Sequence, residues 1–318
     1  MKAVFLDFAT VSNRDLDTSA LLRVLPQLEF FEVTRDAQIP ERIAGAEIVL
    51  LNKLLLGAQL IAANPALRLI AVAATGTNNI DLEAARHRGI AVCNVRDYCS
   101  ASVMQHVLAV MLALTHHLRE YSQLATDGSW AAGPQFTMLD YPIRELQGRV
   151  LGIVGFGTLG RAVAQAAESA LGMRVLVANR PGGAPEPGRV PLAELLAQAD
   201  VVSLHCPLTE QTRNLIGARE LATMKRDALL INSARGGLID SAALAAALRE
   251  RRIGGAAIDV LPQEPPVEGN PLLAPDLPNL IVTPHTAWSS REARQRCIDE
   301  MAANVVEFLR GGRRNRVV

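Results

Sequence analysis

The 318-residue sequence has no excess of charge of either sign and no long apolar run. Lysine plus arginine and aspartate plus glutamate number 32 each, so the formal net charge is zero at pH 7. A nucleic-acid-binding domain normally shows a basic bias, and its absence favours a small-molecule partner. No stretch free of charge reaches the roughly 18 apolar residues of a membrane-spanning helix, so we expect no membrane partner.

Cysteine is scarce, and its spacing excludes two common uses. The four cysteines, Cys93, Cys99, Cys206 and Cys297, lie far apart and form no C-x-x-C pair. We expect reduced thiols in a cytoplasmic protein, since Met1 leads into an apolar run without the layout of a signal peptide. The sequence also lacks H-E-x-x-H, Cys/His clusters and G-x-S-x-G. It therefore predicts neither a metal site nor a serine hydrolase.

Strand-like apolar runs alternate with helix-like stretches in two series, one in the first hundred residues and one beginning at Val150. Such alternation predicts a parallel sheet covered by helices on both faces, and the length suggests two domains. We therefore predict an α/β fold with two doubly wound parallel sheets. Residues 100–125 form a mostly apolar pattern with charges only near its end. We interpret it as one long helix, buried between two domains or two subunits.

The segment GIVGFGTLG carries glycines in the spacing G-x-G-x-x-G. A strand precedes it, a helical pattern follows from Thr158, and a second strand ends at Asn179, about 20 residues later, as in dinucleotide-binding domains. Gly155 permits the tight turn, Gly157 lets the backbone approach a pyrophosphate, and Gly160 lets the helix pack closely on the strand. The free N–H groups at the start of the helix would face the phosphates.

The end of that second strand bears on the choice between NAD and NADP. An NAD-binding domain normally has Asp or Glu there, to hold the ribose 2′-hydroxyl. This chain has Asn179 followed by Arg180. A neutral residue followed by arginine suits a 2′-phosphate better, although a solvated arginine on a loop fits the sequence equally well. We expect NADP to be modestly favoured, with NAD as the alternative.

Three chemically useful residues follow predicted strands in the second series. Arg235 stands beside two glycines in INSARGGLID, and its planar guanidinium matches a carboxylate in a bidentate way. Glu264 lies among three prolines in DVLPQEPP, a rigid frame for a carboxylate. His285, in IVTPHTAW, is of the side-chain type that exchanges protons near neutral pH. Each alone fits a solvated or structural residue as well, and we assign the other histidines no catalytic role.

Six segments, in order along the chain, resemble the D-isomer-specific 2-hydroxyacid dehydrogenase family: ATGTNNIDLEAARHRGIAVCN, GIVGFGTLG, DVVSLHCPLTEQTRNLI, LLINSARGGLID, AAIDVLPQEPP and NLIVTPHTAW. ATGTNNID, NVRDYCSASVMQHV and HTAW are most similar to its glycerate dehydrogenase/hydroxypyruvate reductase branch. The resemblance implies a Rossmann-like dinucleotide-binding domain at 100–287, inserted into a substrate domain made of 1–99 and 288–318. It also implies an active site in the cleft between domains and a homodimer formed through the helix after Ser100.

By motif, the resemblance assigns roles to individual residues. Arg235 binds the substrate carboxylate and polarises the 2-oxo group. His285 is the acid/base, and Glu264 hydrogen-bonds it and favours its protonated form. These roles imply reduction of a small 2-oxo acid, hydroxypyruvate or glyoxylate by preference, to the D-2-hydroxy acid. The acid must be charged before hydride transfer and neutral after it, which a histidine paired with a carboxylate achieves near neutrality.

The same motifs assign the binding residues. The loop of Thr75 and Gly76 supplies N–H groups to the substrate carboxylate, and Lys53 lines the same pocket. The implied cofactor contacts are Gly155, Gly157, Thr158, Leu159, Gly160, Asn179, Arg180, Cys206, Pro207, Thr212, Ser233 and Asp259. Two alternatives stay open. One is a formate-type dehydrogenase, although such family members carry Gln where this chain has Glu264. The other is a dinucleotide-sensing corepressor of the same fold.

Overall fold

The computed structural model describes residues 1–318, with eleven strands and twelve α-helices. The strands are β1 (Ala3–Phe5), β2 (Leu28–Phe30), β3 (Ile48–Leu51), β4 (Leu69–Val72), β5 (Ala91–Cys93), β6 (Val150–Val154), β7 (Arg174–Val177), β8 (Val201–Leu204), β9 (Leu229–Asn232), β10 (Gly255–Ile258) and β11 (Leu280–Val282). The helices are α1 (Ser19–Val24), α2 (Ile39–Ile43), α3 (Ala58–Ala63), α4 (Leu82–His87), α5 (Ser100–Thr115), α6 (Leu118–Thr126), α7 (Ser129–Ala132), α8 (Thr158–Leu171), α9 (Leu192–Gln198), α10 (Ala218–Thr223), α11 (Ser241–Arg249) and α12 (Arg291–Leu309).

The strands form two open sheets in which all neighbours are parallel. The first has the order β2-β1-β3-β4-β5 and the second β11-β10-β9-β8-β6-β7. Each belongs to one of two compact units: Met1–Cys99 with Trp288–Val318, called here the discontinuous unit, and Ser100–Ala287, called the central unit. The predicted α/β class with two parallel sheets is confirmed.

Both faces of the first sheet are buried, as expected of a parallel sheet covered by helices. All residues of β3 and β4 are buried. Helices α1 and α12 contribute to the apolar cluster on one face, and α2, α3 and α4 to the cluster on the other. After α12 the chain returns beside β5, where Val317 N–H donates to Val92 O at 2.8 Å and Asn94 N–H donates to Asn315 O at 3.2 Å. This segment covers an edge that would otherwise expose unpaired backbone groups.

Local sequence explains where several helices begin. Asp81, Asp240 and Ser290 precede α4, α11 and α12, and each accepts a hydrogen bond from the backbone N–H three residues further on. Short polar side chains at this position satisfy an N–H group that has no partner within the helix. Each of these helices also buries at least one apolar side chain, so the N-cap and the buried face both stabilise the helix at the same place in the chain.

The apolar pattern at 100–125 forms two helices, where the sequence predicts one. His117, between α5 and α6, has a φ of +47°, and the two helices differ in direction by 60°. A left-handed residue cannot continue a right-handed helix, so the helix ends there. Helix α5 packs against α8 and against β9, β10 and β11. No single helix is both long and apolar enough to cross a bilayer; only α5 and α6 taken together, with their 60° bend, have the length and composition of a span.

Candidate active site

The turn between β6 and α8 has the shape that its glycine spacing predicts. Gly155 has a φ of +97°, and a Cβ on it would lie 2.5 Å from Cys206 N. A Cβ on Gly160 would lie 2.1 Å from Gly155 O. Neither position has room for a side chain, and Gly155 also needs a backbone conformation that glycine alone adopts readily. A Cβ on Gly157 would meet nothing within 4 Å, so the turn is open there.

The start of α8 offers backbone donors to an anion. The helix begins at Thr158, and its N-cap residue, Gly157, makes no side-chain capping bond. The N–H groups of the first turn, which includes the half-buried Leu159, therefore lack a capping side chain at the positive end of the helix dipole. Strands β6 and β8 are neighbours here, and the chain order of the sheet reverses between them. Such a switch point is where open α/β sheets bind ligands.

Arg161 is a cation of this turn that is not among the predicted cofactor contacts. Its Nη1 donates to Phe156 O at 3.0 Å, so the guanidinium folds back over the glycine turn. The available signal was its place directly after the third glycine of the motif. A positive charge there favours the binding of a pyrophosphate for the same electrostatic reason as the helix start.

The turn after β8 is held by a buried hydroxyl. Thr212 Oγ1 donates to Pro207 O at 2.7 Å and accepts from Thr209 N–H at 2.7 Å. Cys206 is buried, and burial raises the pKa of its thiol to about 11, so the side chain is a neutral thiol at physiological pH. Thr212 thus shapes the turn, and the backbone of Cys206 packs against Gly155.

A buried hydroxyl without a partner lies at the end of β9. Ser233 Oγ is inaccessible to solvent and makes no hydrogen bond within the chain. A buried hydroxyl normally has a partner, so this atom fits a group supplied by a ligand. Together with the open glycine turn and the free N–H groups of α8, it indicates that the residues present fit a dinucleotide.

The loop after β7 mixes charges of both signs. Asn179 Oδ1 accepts the Glu186 N–H at 3.2 Å, which ties the ends of the loop together. Glu186 Oε2 is 2.9 Å from Arg189 Nη2, so this acid is already paired with a cation. Arg180 is exposed on the same loop.

Arg235, Glu264 and His285 follow three neighbouring strands, β9, β10 and β11. Arg235 is exposed, and its Nη1 donates to Ala234 O at 2.7 Å. A Cβ on Gly236 would lie 2.0 Å from Leu261 C, so the segment after β9 packs directly on the segment that leads to Glu264. The order of the strands therefore brings the three predicted residues to the carboxyl ends of three adjacent strands of one sheet.

His285 and Glu264 form a hydrogen-bonded pair. Nδ1 of the histidine lies 2.6 Å from Oε2 of the glutamate, and because a carboxylate accepts, Nδ1 carries the hydrogen. Glu264 Oε1 accepts the Leu261 N–H at 2.8 Å, which fixes the carboxylate from its other side. The two side chains are 26% and 35% exposed. This geometry leaves Nε2 of His285 as the nitrogen that can exchange a proton with a bound molecule.

Asp259 holds the turn that carries His285. Its side chain is buried and accepts from Thr283 Oγ1 at 2.6 Å, Thr286 N–H at 2.8 Å and Ala287 N–H at 2.9 Å, while its backbone O accepts the His285 N–H at 2.8 Å. His285 has a φ of +56°, which is uncommon for a residue other than glycine and persists where the surroundings enforce it. The sequence predicts Asp259 only as a cofactor contact, and nothing in its motif indicates that it supports this turn.

The remaining predicted residues lie in the discontinuous unit. Lys53 follows β3, and Thr75 and Gly76 follow β4, at the carboxyl ends of adjacent strands. Lys53 and Thr75 are exposed, and Thr75 Oγ1 donates to Val95 O at 2.8 Å. No group of three His, Cys, Asp or Glu side chains in the chain is arranged to hold a metal ion.

Two features of the central unit define its class. A glycine turn opens a helix at the switch point of the sheet, and a histidine–carboxylate pair lies at the carboxyl ends of the strands of the same sheet. The class is the dinucleotide-dependent oxidoreductases of α/β fold. Residues 108–287 match the NAD-binding domain of the D-isomer specific 2-hydroxyacid dehydrogenases. The chain belongs to this family. Its cofactor is accordingly a nicotinamide dinucleotide.

Individual relatives agree with this assignment. Glycerate dehydrogenase of Methylorubrum extorquens is 45% identical over 316 residues, 99% of this chain and 98% of the relative. Hydroxypyruvate reductase of Blautia hydrogenotrophica is 36% identical over 318 residues, 98% of each chain. The crystal structure of a protein from Thermus thermophilus superposes with a TM-score of 0.87, at 35% identity and full coverage of both chains. The predicted resemblance to the glycerate dehydrogenase/hydroxypyruvate reductase branch is confirmed.

Proposed function

We propose that this protein reduces hydroxypyruvate, and more slowly other small 2-oxo acids such as glyoxylate, with NADPH modestly preferred to NADH. The observation that carries the proposal is the His285–Glu264 pair, whose Nδ1 and Oε2 atoms are 2.6 Å apart. The pair follows β11 and β10, and Arg235 follows the next strand of the sheet, β9. An acid/base pair and a guanidinium that follow three neighbouring strands of one sheet suit a substrate with a carboxylate and a carbonyl on adjacent carbons. The names of the two enzymes described above support the choice of hydroxypyruvate.

The reaction assigns one task to each residue. When bound, the nicotinamide cofactor supplies the hydride that the substrate C2 receives. Arg235 pairs with the substrate carboxylate and polarises the carbonyl, and it stays cationic throughout. His285 donates a proton from Nε2 to the carbonyl oxygen and becomes neutral. Glu264 accepts the Nδ1 hydrogen and so holds the imidazole with Nε2 available to the substrate.

The substrate and cofactor contacts predicted above belong to the same proposal. Lys53 and the backbone of Thr75 and Gly76 contribute to binding of the substrate carboxylate. The glycine turn and the start of α8 hold the pyrophosphate, and Ser233 supplies its unpartnered hydroxyl to the cofactor. Arg180 pairs with the ribose 2′-phosphate, with no carboxylate at position 179 to repel it.

We further propose that the protein is a cytoplasmic homodimer. All four cysteines are free thiols, which suits a reducing compartment. The central unit exposes large apolar side chains after α6, among them Phe136 at 92% and Leu139 at 83%. Large exposed apolar side chains on one unit suit association of two copies. Light scattering of the purified protein measures this directly.

An initial-rate screen tests the function. Hydroxypyruvate, glyoxylate, pyruvate and phenylpyruvate are each assayed with NADH and with NADPH, and formate is assayed with NAD and NADP. We expect the highest kcat/KM with hydroxypyruvate and none with formate. His285→Ala should lower kcat by about 10²–10⁴, the usual contribution of general acid–base catalysis, with NADPH affinity unchanged. Tight NADPH binding without turnover of any acid would contradict the proposal and favour a corepressor.

A further inference from the structure

A buried carboxylate lies at the switch point of the first sheet. Asp7, after β1, is 3% exposed, and the loop that it contacts follows the neighbouring strand β3. Its Oδ1 accepts the Asn52 N–H at 2.8 Å, and its Oδ2 accepts the Lys53 N–H at 2.7 Å and the Leu54 N–H at 3.3 Å. Burial raises the pKa of Asp7, while these three backbone bonds oppose the rise. The Asp7 carboxylate thus binds the backbone N–H groups of three consecutive residues.

Asn79 holds two of these three residues, Asn52 and Leu54, by their carbonyl groups. Its Nδ2 donates to Asn52 O at 3.2 Å and to Leu54 O at 2.9 Å, and its backbone O accepts the Leu56 N–H at 2.9 Å. Asn79 lies in the loop after β4 that also carries Thr75. One side chain therefore ties the loop after β3 to the loop after β4.

These two contacts replace the secondary structure that residues 52–55 lack. The only ladder contact nearby is a single bridge between Leu56 and Ile80. Leu54 and Leu56 pack into the apolar cluster of this sheet face, but the side chains of Asp7 and Asn79 supply the hydrogen bonds to the backbone of residues 52–54. In open parallel sheets, ligands bind at the carboxyl ends of the strands beside the switch point, and β1 and β3 flank that point here. A loop at this place needs a fixed backbone to bind a small anion.

We propose that Asp7 and Asn79 are positioning residues, which clamp the backbone of residues 52–54 and so hold Lys53 and the Thr75 loop ready for the carboxylate of the 2-oxo acid. This inference rests on the proposed function, because that function assigns both loops to the substrate. Neither side chain touches the substrate in this role. Their effect is preorganisation, which removes the ordering cost from the binding step.

The isosteric change Asn79→Asp removes both donors and tests the clamp. We expect KM for hydroxypyruvate to rise about ten- to a hundredfold, the effect of two lost hydrogen bonds, while kcat, KM for NADPH and the pH profile stay unchanged. Asn78→Asp is the matched control, since it makes the same charge change on the adjacent, exposed residue. An equal rise in KM for Asn78→Asp would overturn the proposal, because charge alone would then explain the effect.

Asp7→Asn tests the clamp from the other side, and it carries the test should Asn79→Asp prevent folding. We expect the same selective rise in KM, and a double variant whose effect is smaller than the product of the two single effects, because both side chains hold one loop. Loss of kcat and of NADPH affinity in step with KM would indicate a general structural role and overturn the proposal. Arg235→Lys separates failure of the clamp from failure of the proposed function. If Arg235→Lys raises KM for hydroxypyruvate but the clamp variants do not, the clamp is wrong and the function stands.

Discussion

Nδ1 of His285 lies 2.6 Å from Oε2 of Glu264, and this carboxylate is itself fixed by the Leu261 N–H at 2.8 Å. The histidine therefore has one nitrogen bound to a held negative charge and one nitrogen available for proton exchange. The carboxylate therefore holds the ring in one orientation, with Nε2 directed away from Glu264.

Glu264→Gln should lower kcat about ten- to a hundredfold. The amide has nearly the same shape, but it replaces a charge-assisted hydrogen bond to Nδ1 of His285 with a neutral one, and such a bond contributes about 1.5–3 kcal/mol, at about 1.4 kcal/mol per decade. KM for NADPH should not change. The measurement is kcat and KM for hydroxypyruvate and NADPH, with Glu268→Gln, an exposed residue of the same segment, as the control. A wild-type kcat for Glu264→Gln would refute the pairing.

Arg235→Lys keeps the positive charge but loses the planar fork. A point charge cannot reproduce two parallel hydrogen bonds to a carboxylate. We expect KM for hydroxypyruvate to rise about ten- to a hundredfold, as for the loss of one charge-assisted hydrogen bond. KM for NADPH should not change. Steady-state kinetics of Arg235→Lys and of Arg219→Lys, an exposed residue on α10, check this. A wild-type KM for Arg235→Lys would show that another group binds the carboxylate.

Those parts of the site that depend on local geometry could be predicted from the sequence. The positive φ of Gly155 and the lack of space at Gly160 are properties of a turn between a strand and a helix. Arg235 and His285 could be placed because each follows an apolar run that ends in a loop. That β9, β10 and β11, which lead to Arg235, Glu264 and His285, are neighbours is seen only in the structure.

The supporting contacts could not be predicted, because they join distant parts of the chain. Asp7 contacts Asn52, 45 residues away, and Asp259 contacts Ala287, 28 residues away. Which strand ends become neighbours decides both contacts, and no local pattern encodes that. The break at His117 had no signal either, because neither glycine nor proline marks it.

His205 should make stability depend on pH. Burial lowers its pKa to about 4 from the usual 6.5, so the folded protein holds it neutral, with Nε2 2.9 Å from Ser203 Oγ. Below pH 6.5 the unfolded chain takes up a proton at this residue that the folded chain does not. Stability should therefore fall between pH 6.5 and about 4, by at most about 1.4 kcal/mol per pH unit.

His205→Gln removes this dependence and keeps a polar group near Ser203. Urea unfolding at several pH values between these limits should show a shallower loss of stability than in the wild type. His87→Gln is the control, since the His87 side chain is 77% exposed and should leave the slope almost unchanged. Parallel loss of stability in the wild type and in His205→Gln would show that other groups control the acid transition.

Substitution of Asn179 and Arg180, which follow β7, should reverse the cofactor preference. Arg180 can pair with a 2′-phosphate, and a charge-assisted hydrogen bond contributes about 1.5–3 kcal/mol. At about 1.4 kcal/mol per decade, this is about ten- to a hundredfold in favour of NADPH. Solvent screening at an exposed arginine moves the expected preference toward the lower figure. NADH should therefore remain usable by the wild-type protein.

The double variant Asn179→Asp, Arg180→Ile supplies a carboxylate for the ribose 2′-hydroxyl and removes the cation. An aspartate at 179 can still accept the Glu186 N–H that Asn179 Oδ1 accepts at 3.2 Å, so the loop keeps its closing bond and the change acts on charge. We expect kcat/KM at fixed hydroxypyruvate and ionic strength to favour NADH in this variant, and Arg174→Ile, at the start of the same strand, to leave the preference unchanged. Should the wild type instead favour NADH by about tenfold or more, which is about 1.4 kcal/mol, Arg180 would point away from the ribose and serve as a solvated loop residue.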